Sequence, residues 1–173
     1  MTPEERGEEI YLSVEGSELD RLAVVGLMTA IEAPEIATQV SSLKPDSKMI
    51  FMMAYECCMM WATKVGMESV LQPEIVQSSI RTMRDYIIKH GWYQAGAFEK
   101  IWAEIQTLMP LAMRSEPGGP PSYPVVEMLM APNLAGFPLD VKIGSDMRFG
   151  FFVAMMINYL TDTSRITAQE CRG

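Results

Sequence analysis

The 173-residue chain is 49% hydrophobic and 21% charged, and its 22 acidic against 14 basic residues leave a net charge of −8. That composition excludes a solvated disordered tail and a collagen-like repeat, and a chain this long can bury roughly two thirds of its extended surface in one core, so one domain over residues 1–173 is expected. Residues 1–35 carry nine acids against Arg6 and Arg21, a balance of −7 that leaves −1 for the rest of the chain.

Helical signals dominate and no period-2 strand pattern competes with them. Thr2-Pro3-Glu4-Glu5 supplies an N-cap, a first-turn proline and a capping-box acid, which predicts a helix over 3–14 ended by Gly16. Ser17 with Asp20 starts a second helix, which Pro34 interrupts, and residues 35–43 continue as a short third. After Lys44-Pro45-Asp46-Ser47, the run from Lys48 to Val65 is apolar almost all round, as for a helix enclosed by others, with Gly66 weakening its end. Gln72-Pro73-Glu74 opens the next helix, whose Val76, Ile80, Met83 and Ile87 form an amphipathic stripe. His90-Gly91 closes it, the glycine being free to take a positive φ.

Ala95 to Met109 has Phe98, Ile101, Trp102, Ile105, Leu108 and Met109 on one face, and Pro110 ends or kinks it. Residues 115–124 (SEPGGPPSYP) read as a connector between a helical body, 1–114, and a C-terminal helical segment, 125–173. Within that segment, 125–131 fits a two-turn helix and 132–144 an irregular link. Ser145 caps a last helix that carries Phe149, Phe152, Val153, Met156, Ile157 and Leu160. The fold class is therefore all-α, a single-domain helical bundle of five to seven helices.

Catalytic constellations are missing. His90 is the single histidine, so Glu-x-x-His di-iron sites and multi-histidine zinc sites cannot be assembled, and no phosphate loop, nucleophile elbow or H-E-x-x-H motif is present. Cys57, Cys58 and Cys171 make neither a disulfide framework nor a C-x-x-C pair, and the first two lie in an apolar run that raises a thiol pKa. No metal and no cofactor is implied. The scattered Arg81, Arg84, Lys89, Lys100 and Arg114 are too sparse to neutralise a phosphate backbone, which argues against nucleic acid as a main partner. The longest apolar run, Met49 to Ala62, contains Glu56 and is too short to span a bilayer.

Sixteen methionines are the oddest feature of the composition. They fill gaps in a helical core, or they form an adaptable surface for partner helices, with soft-metal binding as a third reading. Met52, Met59, Tyr123, Met128 and Met130 are the candidates for such a surface. Glu56 is the one carboxylate inside fourteen apolar residues. Lys48, Met52, Glu56, Met59 and Thr63 share helical spacing and so predict a narrow solvated stripe. If that helix is enclosed instead, Glu56 needs a cation such as Arg81, Arg84 or Arg148, or it lies in a pocket lined by Tyr55, Trp61 or Tyr86.

Pro120-Pro121-Ser122-Tyr123 fits the P-P-x-Y pattern that WW domains read, and equally a loop stiffened by prolines. Pro121 to Asp140 (PSYPVVEMLMAPNLAGFPLD) is faintly similar to a segment of phlebovirus-type nucleoproteins. The acidic balance argues against the RNA-binding groove such proteins require, so no residue role is carried over. The first residues are acidic and lack a signal-type apolar stretch, and the cysteine usage fits a reducing compartment; a cytoplasmic protein is expected. The leading functional expectation is a non-catalytic interaction or assembly protein, with a protein partner or a homo-oligomer. The alternative is a small-molecule-binding or enzymatic bundle with its pocket at Glu56.

Overall fold

The structure, a computed structural model, describes residues 1–41, 45–112 and 147–172, and among these residues all regular structure is helical. The helices are α1 (Pro3–Ser13), α2 (Glu18–Ile31), α3 (Pro34–Val40), α4 (Pro45–Glu68), α5 (Pro73–Gly91), α6 (Ala95–Ala112) and α7 (Met147–Arg172). The all-α bundle expected from periodicity is what forms. The expected connector at 115–124, the short helix at 125–131 and the Ser145 cap lie outside the described residues.

Local chemistry sets the first two helix starts. Thr2 Oγ1 accepts from the Glu5 amide at 3.2 Å while the Glu5 carboxylate accepts from the Thr2 amide at 2.7 Å, and Ser17 and Asp20 repeat the exchange at 3.1 Å in both directions. Two orphan amides are satisfied at each helix start. Asp20 does more than cap, because it is buried and its other oxygen accepts from Ser79 Oγ of α5, which ties α2 to α5.

α4 is the central helix, and from Met53 to Met60 every side chain is buried. Its most extensive interface is with α7, and α2, α5 and α6 cover the rest. Gly66 lets α7 approach: a Cβ there would collide with Ser164 Oγ and the Thr161 carbonyl oxygen. α4 runs through the glycine to Glu68, three residues past the expected end at Val65. The α5 stripe of Val76, Ile80, Met83 and Ile87 is buried as its spacing predicts, and so are Phe98, Ile101, Trp102, Ile105 and Met109 of α6. α6 passes Pro110 and continues to Ala112. α7 extends twelve residues past Leu160, keeping Ser164 and Ala168 on its buried face. None of the helices among the described residues is long and apolar enough to cross a membrane.

Most of the methionines seen are core. Met28, Met53, Met59, Met60, Met67, Met83 and Met109 are at most 2% exposed, which is the gap-filling use of a flexible thioether chain.

Candidate functional site

The solvated stripe expected through Glu56 does not exist. Glu56 is 5% exposed, Met59 and Thr63 are buried beside it, and Met52 is half-buried. Among the described residues no cation pairs with the enclosed Glu56. Arg84 is engaged with Glu99 and Asp85, Arg81 is exposed, and the Arg148 side chain lies outside the described residues. Instead the Tyr93 hydroxyl donates to Glu56 Oε1 at 2.9 Å, and Oε2 has no hydrogen-bond partner among the described residues. Burial pushes the carboxyl up to about 8, partly offset by the Tyr93 hydrogen bond. A lone carboxylate in such a place is costly to ionise, so it keeps its proton at neutral pH.

Tyr93 reaches Glu56 through an unusual corner between α5 and α6. The sequence predicts that Gly91 takes the positive φ there; Gly91 is helical, and Trp92 carries the left-handed conformation at φ 58°. Gly91 is needed for space, since a Cβ on it would collide with the Tyr93 ring. That ring stacks on Phe98, with centroids 6.0 Å apart. The Tyr93 amide donates to the Ile88 carbonyl at 3.0 Å and the Trp92 amide to Lys89 at 3.4 Å. Trp92 itself is 93% exposed. An aromatic residue in the left-handed region is strained by about 1–3 kcal/mol, and such strain persists only where the surroundings over-determine it.

Beside Trp92 a cleft of about 840 Å³ opens between the end of α1 and the face of α5. Val14, Tyr86 and Trp92 give it an apolar floor and rim, and Glu15, Asp85, Lys89 and His90 edge it with charges of both signs and an imidazole. The Tyr86 and His90 rings lie parallel at 6.1 Å, and Ser13 Oγ donates to the Tyr86 hydroxyl at 3.4 Å. A surface of this kind takes an apolar side chain at its centre and polar groups at its edge.

The four residues expected to share one pocket are not brought together. Glu56 and Tyr55 are packed in the core, Tyr55 donating its hydroxyl to the Ala30 carbonyl at 3.0 Å. Trp61 is half-buried against the core, and Tyr86 alone of the four borders this cleft. Of the surface candidates, Met59 is fully buried and Met52 half-buried, while Tyr123, Met128 and Met130 lie outside the described residues. Trp92 and Tyr93 were missed because only the fold brings residues 37 apart into contact; two aromatic residues directly after a helix stop were the available signal.

Cys57 and Cys58 are buried, and burial pushes both thiols up, away from the thiolate that a nucleophile requires. The exposed His90 lies on the cleft edge. Among the described residues no three His, Cys, Asp or Glu side chains are grouped so as to hold a metal ion. The fold defines a helical bundle with an aromatic surface cleft. Beyond that class, no protein-family model matches the chain, and no curated protein or solved structure matches it significantly.

Proposed function

We propose that the chain is a non-catalytic interaction protein whose contact surface is the cleft between α1 and α5, with Trp92 as its anchor. One observation carries this reading: a tryptophan held 93% exposed, in a backbone conformation that disfavours it, at the edge of an aromatic cleft. Tryptophan is the side chain most enriched at energetic centres of interfaces, and a strained exposed one has no packing reason to be there. Self-association belongs to the same reading. Met155, Tyr159 and Ile166 are exposed on α7 at spacings that place them on one helical face, which gives a second copy a further surface.

The alternative, a ligand or enzyme pocket at Glu56, has less support, because the carboxyl is packed against Tyr93 and borders none of the clefts described. A photo-crosslinking amino acid at Lys89, in cells expressing the protein, tests the proposal. A discrete adduct is expected, at twice the chain mass for self-association or at another mass for a partner, and Trp92→Ala should abolish it. No adduct at Lys89, or one indifferent to Trp92→Ala, overturns it.

A further inference from the structure

We propose that Glu56 and Tyr93 form a proton-operated latch that decides whether the Trp92 corner is held against the core. The inference deepens the reading of Trp92 as a contact residue and rests on it for its consequence.

Local hydrogen bonds run from the Trp92 and Tyr93 amides to the last turn of α5, and the bond from the Tyr93 hydroxyl to Glu56 ties the corner to α4. A strained left-handed residue relaxes when its surroundings stop over-determining it, so the tie to α4 bears directly on Trp92. Its acceptor is a carboxyl whose other oxygen has no partner. With its proton, Glu56 leaves only a neutral orphan atom in the core. Without it, a full charge shares one hydrogen bond, and hydrating that charge requires Tyr93 and the corner to move aside.

Among the described residues no cation is paired with the charge. Besides Tyr93, the titratable neighbours are Tyr55 and Cys57 on α4 itself, both pushed up by burial, with the Glu56 charge adding to the effect. From α5, Arg84 is paired with Asp85 and Glu99, and Lys89 and His90 are exposed; from α6, Glu99 and Lys100 are exposed. From α2, Asp20 is held by Ser17 and Ser79, and Arg21 lies over the Tyr11 ring; from α7, Arg165 pairs with Asp162. Lys64 of α4 pairs with Glu68. Glu56 makes no ion pair among the described residues.

The carboxyl is raised from 4.5 to about 8 in the closed state. An open state with a hydrated Glu56 therefore gains on the closed one as pH rises through that window, and the gain levels off above it. Hydrogen exchange of the Trp92 and Tyr93 amides, corrected for intrinsic rates, reads this directly. In the wild type their protection should fall at least about tenfold between about pH 5 and about pH 8 and then level, while the α4 core amides hold. Glu56→Gln, nearly isosteric, should keep high protection at every pH, and Tyr93→Phe should start low. A wild-type profile that is flat, or that Glu56→Gln reproduces, overturns the latch. The measurement needs no partner, so a failed latch leaves the contact role of Trp92 standing, and a failed crosslink at Lys89 leaves the latch standing.

Discussion

Two surroundings of the same helix are built on opposite principles. Toward α7, α4 makes a close interface in which Gly66 admits Ser164 and the Thr161 carbonyl, and the Thr161 hydroxyl lies 3.4 Å from the Ala62 carbonyl of α4. Toward the α5–α6 corner it buries a carboxyl that has, among the described residues, one hydrogen bond and no cation. The first arrangement contributes stability and tolerates no added volume. The second costs stability, and the cost depends on pH. Stability and responsiveness are thus located on different stretches of one helix, and substitutions should separate them.

The largest effect is expected at the tight interface. Gly66→Ala must push α7 away from α4 and should lower the unfolding free energy by about 2–3 kcal/mol in urea denaturation. A near-neutral result would mean that the helices have room to part.

Next comes the carboxyl. Its folded value lies above its unfolded one, so the native state binds the extra proton. The contribution of Glu56 to stability is therefore greatest below about pH 4.5, declines as pH rises to about 8 and is flat beyond. Glu56→Gln should remove that decline and make the protein more stable than wild type by about 2 kcal/mol near pH 8, with little difference near pH 4. Urea titrations at the two pH values check both halves of the expectation.

Tyr93→Phe removes the one hydrogen bond that Glu56 makes among the described residues and should cost about 1–2 kcal/mol. Combined with Glu56→Gln, the loss should shrink, and a double-mutant cycle measures by how much.

The smallest effects probe the corner and its control. Trp92→Asn suits the left-handed conformation better and should raise the melting temperature slightly, by an amount equivalent to about 0.5 kcal/mol. Such a gain would show that Trp92 is not retained for stability. Gly96→Ala, where an added Cβ meets nothing within 4 Å, should also stabilise, by at most about 1 kcal/mol. Set against Gly66→Ala, it shows that space, not glycine as such, decides the sign.

Much of the fold was legible in one dimension because its signals are local. The capping boxes at Thr2 and Ser17 and the α5 stripe involve residues within one or two turns of each other, and the structure forms all of them. The end of α4 was less legible, since the helix runs past Gly66 to Glu68, whereas α5 does end at Gly91 and only the positive φ falls one residue later, on Trp92. At each glycine the missing Cβ makes room for a side chain, Ser164 in one case and Tyr93 in the other. The site was least legible of all. Lys48, Met52, Glu56, Met59 and Thr63 do share helical spacing, but which faces neighbouring helices cover is a tertiary property that spacing does not encode.

The protonation of Glu56 is the most direct test of the account. Carboxyl-¹³C NMR titration of the wild type, with the Glu56 resonance assigned by its disappearance in Glu56→Gln, follows that one group. The expected result is a midpoint near 8, well apart from the exposed carboxylates. A midpoint in the ordinary carboxylate range of about 4–5 would contradict it, and would mean that Glu56 is solvated and that Tyr93 latches nothing.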